Sequence, residues 1–204
     1  MIAYNKDFSF QTLDSRYYAC LAACGMARCG SHILQGGGTI MIGSTAYASN
    51  TVYAFAGDTL TREDTLPKDG LRSAAAAMTA VSSPKYAWFS GGVPAVSGQP
   101  VYTTTVYTDT LSRLNTAANL TGISVCESGT SVHSYVLIPT TLNGVTQRIE
   151  AYDEDTLNKT IQETMSPGYS CGLIANVGSY ALYAGGYSSY DGTMTNHVRI
   201  YRAQ

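Results

Sequence analysis

The sequence predicts an all-β fold: a β-propeller of four-stranded antiparallel blades, about four of them in 204 residues. Three observations predict it. Sixteen Tyr, twenty Gly and many Thr and Ser favour strands and turns over helices. An aromatic residue followed by Asp-Thr-Leu recurs, as Phe55-Ala-Gly-Asp58-Thr59-Leu60, Tyr107-Thr-Asp109-Thr110-Leu111 and Tyr152-Asp-Glu-Asp155-Thr156-Leu157, with a weaker copy at Tyr4-Asn-Lys-Asp7. The Asp residues at 7, 58, 109 and 155 stand 51, 51 and 46 residues apart, which is the period of a four-stranded blade. One such sheet cannot bury both of its faces alone, so the units are expected to stack.

The elements follow in order along each unit. A first strand of small residues is expected around Arg28-Cys29-Gly30, Arg72-Ser73-Ala74, Val125-Cys126-Glu127 and Ser170-Cys171-Gly172. An apolar second strand follows at Thr39–Gly43, Tyr86–Ser90, Tyr135–Pro139 and Tyr180–Ala184. The third strand ends at the repeated aromatic, and the fourth begins after Asp-Thr-Leu. Turn-rich spacers such as Leu66-Pro-Lys-Asp-Gly70 separate the units. The chain reads as one domain, 1–204, with units at roughly 1–26 (partial), 27–70, 71–122, 123–168 and 169–204. It starts and ends on a third strand, at Ile2–Tyr4 and Val198–Tyr201. Pairing of Phe8–Thr12 with Val198–Tyr201 would close the ring and hide a sticky edge. The alternative is an open arc completed by a second copy.

Gly91-Gly92 and Gly185-Gly186 directly follow apolar strands, and Tyr180-Ala-Leu-Tyr-Ala-Gly-Gly186 with Val198-Arg-Ile-Tyr201 resembles a kelch repeat. Tyr152-Asp153 matches the end of that family's next strand. Units one and three depart, with Gly43-Ser44 and Thr140-Thr141 at the glycine positions, and Trp88 sits in a second strand rather than after a third. The resemblance implies a divergent kelch-like propeller serving as an interaction platform, since most kelch propellers bind other proteins.

Composition excludes several functions. Charged residues are 13% of the chain, about half the usual quarter, and the net charge is −2, so no cationic surface is offered to nucleic acid. No run of eighteen apolar residues spans a membrane. The start, Met1-Ile-Ala-Tyr-Asn-Lys-Asp7, lacks a basic and then apolar leader, so reduced thiols and a cytoplasmic or virion-associated location are expected. Cys29, Cys126 and Cys171 are expected at matching first-strand positions, as small packing residues, and no metal or other cofactor is expected. His32, His133 and His197 fall at different places in their units. Asp58, Asp109 and Asp155 are expected to accept backbone N–H groups within turns, and Asp153-Glu154-Asp155 to be a solvated turn. No Gly-x-Ser-x-Gly elbow occurs.

What remains is the loop surface between second and third strands, Ser44–Ser49, Gly91–Pro100, Thr140–Gln147 and Gly185–Asn196. It carries Tyr47, Val96, Asn143, Tyr187, Tyr190 and Asp191, with Arg72 on a nearby connection. Tyr offers a large rigid surface with a polar tip, as binding loops require. The expectation is a non-catalytic module, monomeric or a small homo-oligomer, that binds a protein or a glycan. Its composition is similar to that of accessory proteins of phage tails and bacterial surfaces. Two alternatives are a carbohydrate-active hydrolase or lyase, needing a Tyr–carboxylate cluster at a channel mouth, and a structural element joined through open blade edges.

Overall fold

A computed structural model describes residues 2–4, 10–12, 20–22, 24–42, 45–49, 51–57, 59–65, 68–69, 72–73, 79–92, 100–114, 117–122, 124, 128–142, 146–165, 172–188 and 191–202. All of its regular elements are strands, paired antiparallel throughout. β1 (Ile2–Tyr4) pairs with β2 (Phe10–Thr12). β3 (Cys20–Ala22) belongs to a small sheet completed further on. The first main sheet contains β4 (Gly25–Cys29) and β5 (His32–Gly36). β6 (Thr39–Ile42) and β7 (Thr45–Ala48) then form a hairpin that pairs with β3. β8 (Thr51–Ala56) and β9 (Thr59–Thr65) return to complete the first sheet, in the order β4-β5-β8-β9.

A short hairpin, β10 (Lys68–Asp69) with β11 (Arg72–Ser73), leads to the second main sheet. That sheet is β12 (Thr79–Ser82), β13 (Tyr86–Ser90), β14 (Thr104–Thr108) and β15 (Arg113–Leu114), in chain order. The third is β16 (Thr130–Val132), β17 (Tyr135–Leu142), β18 (Thr146–Asp153) and β19 (Lys159–Met165). The fourth is β20 (Leu173–Val177), β21 (Tyr180–Ala184) and β22 (Val198–Arg202).

The four main sheets share one register. Counting along the second strands, Ile33, Ala87, Val136 and Ala181 lie opposite Phe55, Tyr107, Tyr152 and Tyr201 on the third strands. Leu34, Trp88, Leu137 and Leu182 lie opposite Ala54, Val106, Ala151 and Ile200. Successive side chains alternate between faces, so each sheet has a forward face carrying the Leu34-type residue and a rear face carrying the Ile33-type residue. The core is three slabs between these faces. Leu34, Val52 and Ala54 pack on Ala87, Phe89 and Tyr107. Val81, Trp88 and Val106 pack on Val136, Ile138 and Tyr152. Leu137, Ile149 and Ala151 pack on Ile174, Ala181 and Tyr183. The first strands β4, β12, β16 and β20 neighbour one another in succession. They are joined by side chains rather than a ladder: Ser82 Oγ accepts from the Arg28 N–H at 2.7 Å, and Ser131 Oγ donates to the Ser82 carbonyl at 2.8 Å.

Several strands differ from expectation. The second strand of the first unit is His32–Gly36, and the apolar run Thr39–Ile42 lies in the connection to the third strand. The glycine pair of that unit is therefore Gly37-Gly38 rather than a missing one. Its φ values of 68° and 89° match 69° and 101° at Gly91-Gly92 and 74° and 99° at Gly185-Gly186, a backbone that side chains with a Cβ resist. In all three units the second glycine's carbonyl accepts an N–H where the loop returns, from Ser49, Val101 and Thr195. First strands lie later than expected in units two, three and four, at Thr79–Ser82, Thr130–Val132 and Leu173–Val177. Two-residue turns follow the first strands of units one, three and four, Gly30-Ser31, His133-Ser134 and Gly178-Ser179, each with positive φ at its first residue as a type II′ turn requires, whereas unit two turns through Pro84-Lys85. Cys29 thus aligns with Val132 and Val177; Cys126 and Cys171 lie outside the described residues. Among the described residues, Phe10–Thr12 pairs with Ile2–Tyr4, and Val198–Arg202 pairs with β21 alone.

Candidate functional site

The connection from the second to the third strand leaves the corresponding end of each main sheet, between the glycine pair and β8, β14 or β22. Tyr47 sits there in β7, opposite Ile40. Tyr187 and Asp191 sit there in the fourth unit. Val96, Asn143 and Tyr190 fall on the same connections but lie outside the described residues. Arg72 lies apart, in β11 opposite Asp69.

The fourth-unit loop is fixed by its own polar groups. Tyr187 and Met194 form a bridge across its base. The Ser188 N–H donates to the Thr193 carbonyl and the Gly192 N–H to the Ser188 carbonyl, both at 2.8 Å. Asp191 Oδ1 accepts the Thr193 N–H at 3.0 Å and its hydroxyl at 2.8 Å. The Thr193 backbone N–H holds the Asp191 carboxyl below its ordinary range, so at neutral pH the turn is locked by a carboxylate. Gly192, at φ 69°, supplies the reversal. The loop presents Met194, 90% exposed, beside Tyr187, 44% exposed.

A second polar cluster lies at the seam between sheets two and three. Glu150, on β18, is fully buried. Its carboxylate accepts the Thr121 N–H at 3.0 Å, the Thr121 hydroxyl at 2.7 Å, the Gly122 N–H at 3.2 Å and the Thr140 hydroxyl at 3.1 Å. The Tyr152 hydroxyl donates at 2.9 Å and Lys159 Nζ at 2.8 Å. Burial alone pushes the Glu150 carboxyl up. The bonds from Lys159 and Thr121 outweigh it and hold the group below its ordinary value. Burial and the adjacent Glu150 charge push the Tyr152 hydroxyl far up, keeping it a donor. Every lone pair faces a donor and no face meets solvent, so this cluster fastens the 117–122 connection rather than receiving a substrate.

Glu154 was expected in a solvated turn and is instead 2% exposed. It accepts the Lys85 N–H at 2.7 Å and the Ser83 hydroxyl, while its own N–H donates to the Ser134 carbonyl. Lys85 pairs with Asp155 alongside. The acidic run is therefore a clasp from the third sheet onto the β12–β13 turn. In it Asp153, not Asp155, accepts the turn N–H groups, from Asp155 and Thr156. Cys29 packs in the first slab, its thiol donating to the Tyr107 carbonyl at 3.2 Å; burial raises its pKa, so it is a packing thiol rather than a nucleophile. Among the described residues no three His, Cys, Asp or Glu side chains gather as metal ligands, and no helix is long and apolar enough to cross a membrane.

No protein-family model matches the sequence, and no curated protein does. Among solved structures, one described as "Structure of YjhT" is similar in fold, with a TM-score of 0.68 over 98% of this chain and 72% of that one, at 12% identity.

Proposed function

We infer that this chain is a non-catalytic binding module, a divergent kelch-like propeller whose blades are the four main sheets and whose ligand-binding surface is the set of connections between second and third strands. The blade reading is supported by the shared register, the face-to-face slabs and the adjacency of the first strands. The single observation that carries the binding reading is the fourth-unit loop, which holds Tyr187 and Met194 outward on a turn locked by Asp191. Side chains held by such bonds before they meet a partner lose little entropy on binding, and an aromatic beside a thioether suits a sugar ring or an apolar protein patch. The hydrolase alternative needs an accessible Tyr–carboxylate pair. Glu150 and Tyr152 make such a pair, but in a closed seam at 0% exposure each.

A glycan array and a cross-linking screen against surface proteins test the reading, run with Tyr187→Ala and Met194→Ala beside the parent chain. Each variant is expected to weaken the identified interaction about tenfold or more, the loss of roughly one buried anchor. An interaction that both variants leave unchanged overturns this loop as the site.

A further inference from the structure

We propose that the forward face of the fourth sheet is an interface for a second copy of this chain, and that it receives the rear face of that copy's first sheet.

The shared register of the sheets exposes this face. In sheets one to three the forward positions opposite the second strand are Ala54, Val106 and Ala151, all buried against the next sheet. The matching residue of the fourth sheet is Ile200, 66% exposed. One step along, Val52, Thr104 and Ile149 are buried, and their counterpart Val198 is 58% exposed. Val177, the counterpart of the buried Cys29 and Val132, is 59% exposed. The apolar character of the face is kept where no sheet among the described residues covers it. An isolated apolar side chain on a surface is ordinary, but a contiguous face in register with three buried ones is a binding surface.

The same register names the occupant. A forward face is met, in all three slabs, by a rear face. The rear faces of sheets two to four are covered, with Ala87, Val136 and Ala181 fully buried. On the rear face of the first sheet Gln35 and Phe55 are buried, while Ile33, at the matching position, is 46% exposed and Met26 on the first strand is 51% exposed. Arg28 is exposed on that face as well, its Nε–H donating to the Gly30 carbonyl at 3.0 Å. The forward face and the exposed part of the first rear face, at Met26 and Ile33, are thus the surfaces left to pair. The contact is head to tail, so it either closes into a ring of copies or propagates as a filament.

Sedimentation velocity across a micromolar to sub-millimolar series tests this with the intact chain. The mass is expected to rise above the 21.7 kDa of one chain as concentration increases. Ile200→Glu and Ile33→Glu are each expected to sediment as monomers alone. Mixed in equal amounts they are expected to form a dimer, because each still offers the face that the other has lost. Ile200→Thr and Ile33→Thr, which keep strand propensity, repeat the comparison if a glutamate variant loses the near-ultraviolet signal of Trp88. A parent chain that stays monomeric throughout overturns the proposal. So does an Ile33→Glu variant that self-associates as the parent does, since that outcome pairs two forward faces instead.

Discussion

The third and fourth sheets have the same strand register and opposite polar economies. On the third, the position opposite Ile138 is Glu150, sealed by six donor groups and clamped to the 117–122 connection. On the fourth, the position opposite Tyr183 is Arg199, half-buried at the rear face. The third sheet is covered on both faces and can hold a charge in a dry environment. The fourth is covered on one, and its forward face carries Leu173, Val177, Val198 and Ile200 exposed. The difference teaches that the repeat fixes backbone geometry, while each sheet's neighbours decide which side chains its positions can bear.

The sharpest way to break the comparison is to remove the sealed carboxylate. Glu150→Ala strands two backbone N–H groups, two Thr hydroxyls, the Tyr152 hydroxyl and Lys159, and is expected to cost about 3–5 kcal/mol in urea unfolding at neutral pH. The effect carries a pH signature. The folded carboxyl titrates below its ordinary 4.5, so the unfolded chain takes up its proton first as pH falls. The contribution of Glu150 is therefore complete above pH 4.5 and is lost as pH falls through the lower, folded value. The gap between parent and variant is expected to narrow on acidification below 4.5. A gap that is constant there contradicts the seam as described.

A smaller test compares the forward faces directly. Ile149→Ala, at a position 2% exposed against the fourth sheet, is expected to cost about 2–5 kcal/mol. Val198→Ala, its register mate, is expected to stay within about 0.5 kcal/mol when measured on dilute monomer. Comparable losses at the two sites would mean that the fourth sheet's forward face is covered within the chain itself.

Much of this contrast is legible in the sequence, and the rest has identifiable physical reasons for being missed. The second strands Tyr86–Ser90 and Tyr180–Ala184 are apolar runs bounded by turn residues, and local pattern suffices for them. Thr39–Ile42 has the same composition and does form a strand, but in a hairpin within a loop; composition carries strand propensity and no topology. The first strands of units two and three are hard to place because Thr79–Ser82 and Thr130–Val132 are short and each buries a Thr beside a single Val, too little apolar pattern to mark a strand. A signal for the unit-three strand lies in the turn His133-Ser134, which stands where Gly30-Ser31 and Gly178-Ser179 stand in units one and four; unit two has Pro84-Lys85 there. The buried seam carboxylate Glu150 is not among the residues the sequence singles out. Its phase with Tyr152, two residues on and inward, is the signal that places a carboxylate inside. The loop candidates are only partly placed, since Val96, Asn143 and Tyr190 lie outside the described residues.

The finest test is one hydroxyl in each sheet. Tyr152 and Tyr201 occupy the same register position, opposite Val136 and Ala181. The Tyr152 hydroxyl donates to Glu150, a charge-assisted bond, so Tyr152→Phe is expected to cost about 1.5 kcal/mol. The Tyr201 hydroxyl is buried and has no hydrogen-bond partner among the described residues, and burial lifts its pKa to about 12. Deleting that hydroxyl removes a desolvated polar atom and no bond, so Tyr201→Phe is expected to be neutral or to stabilise by up to about 1 kcal/mol. The sign of the difference is the readout, in matched urea titrations of the two variants. If Tyr201→Phe loses as much as Tyr152→Phe, the fourth sheet's rear face holds a polar contact equivalent to the Glu150 seam, and the contrast between the sheets would rest on their forward faces alone.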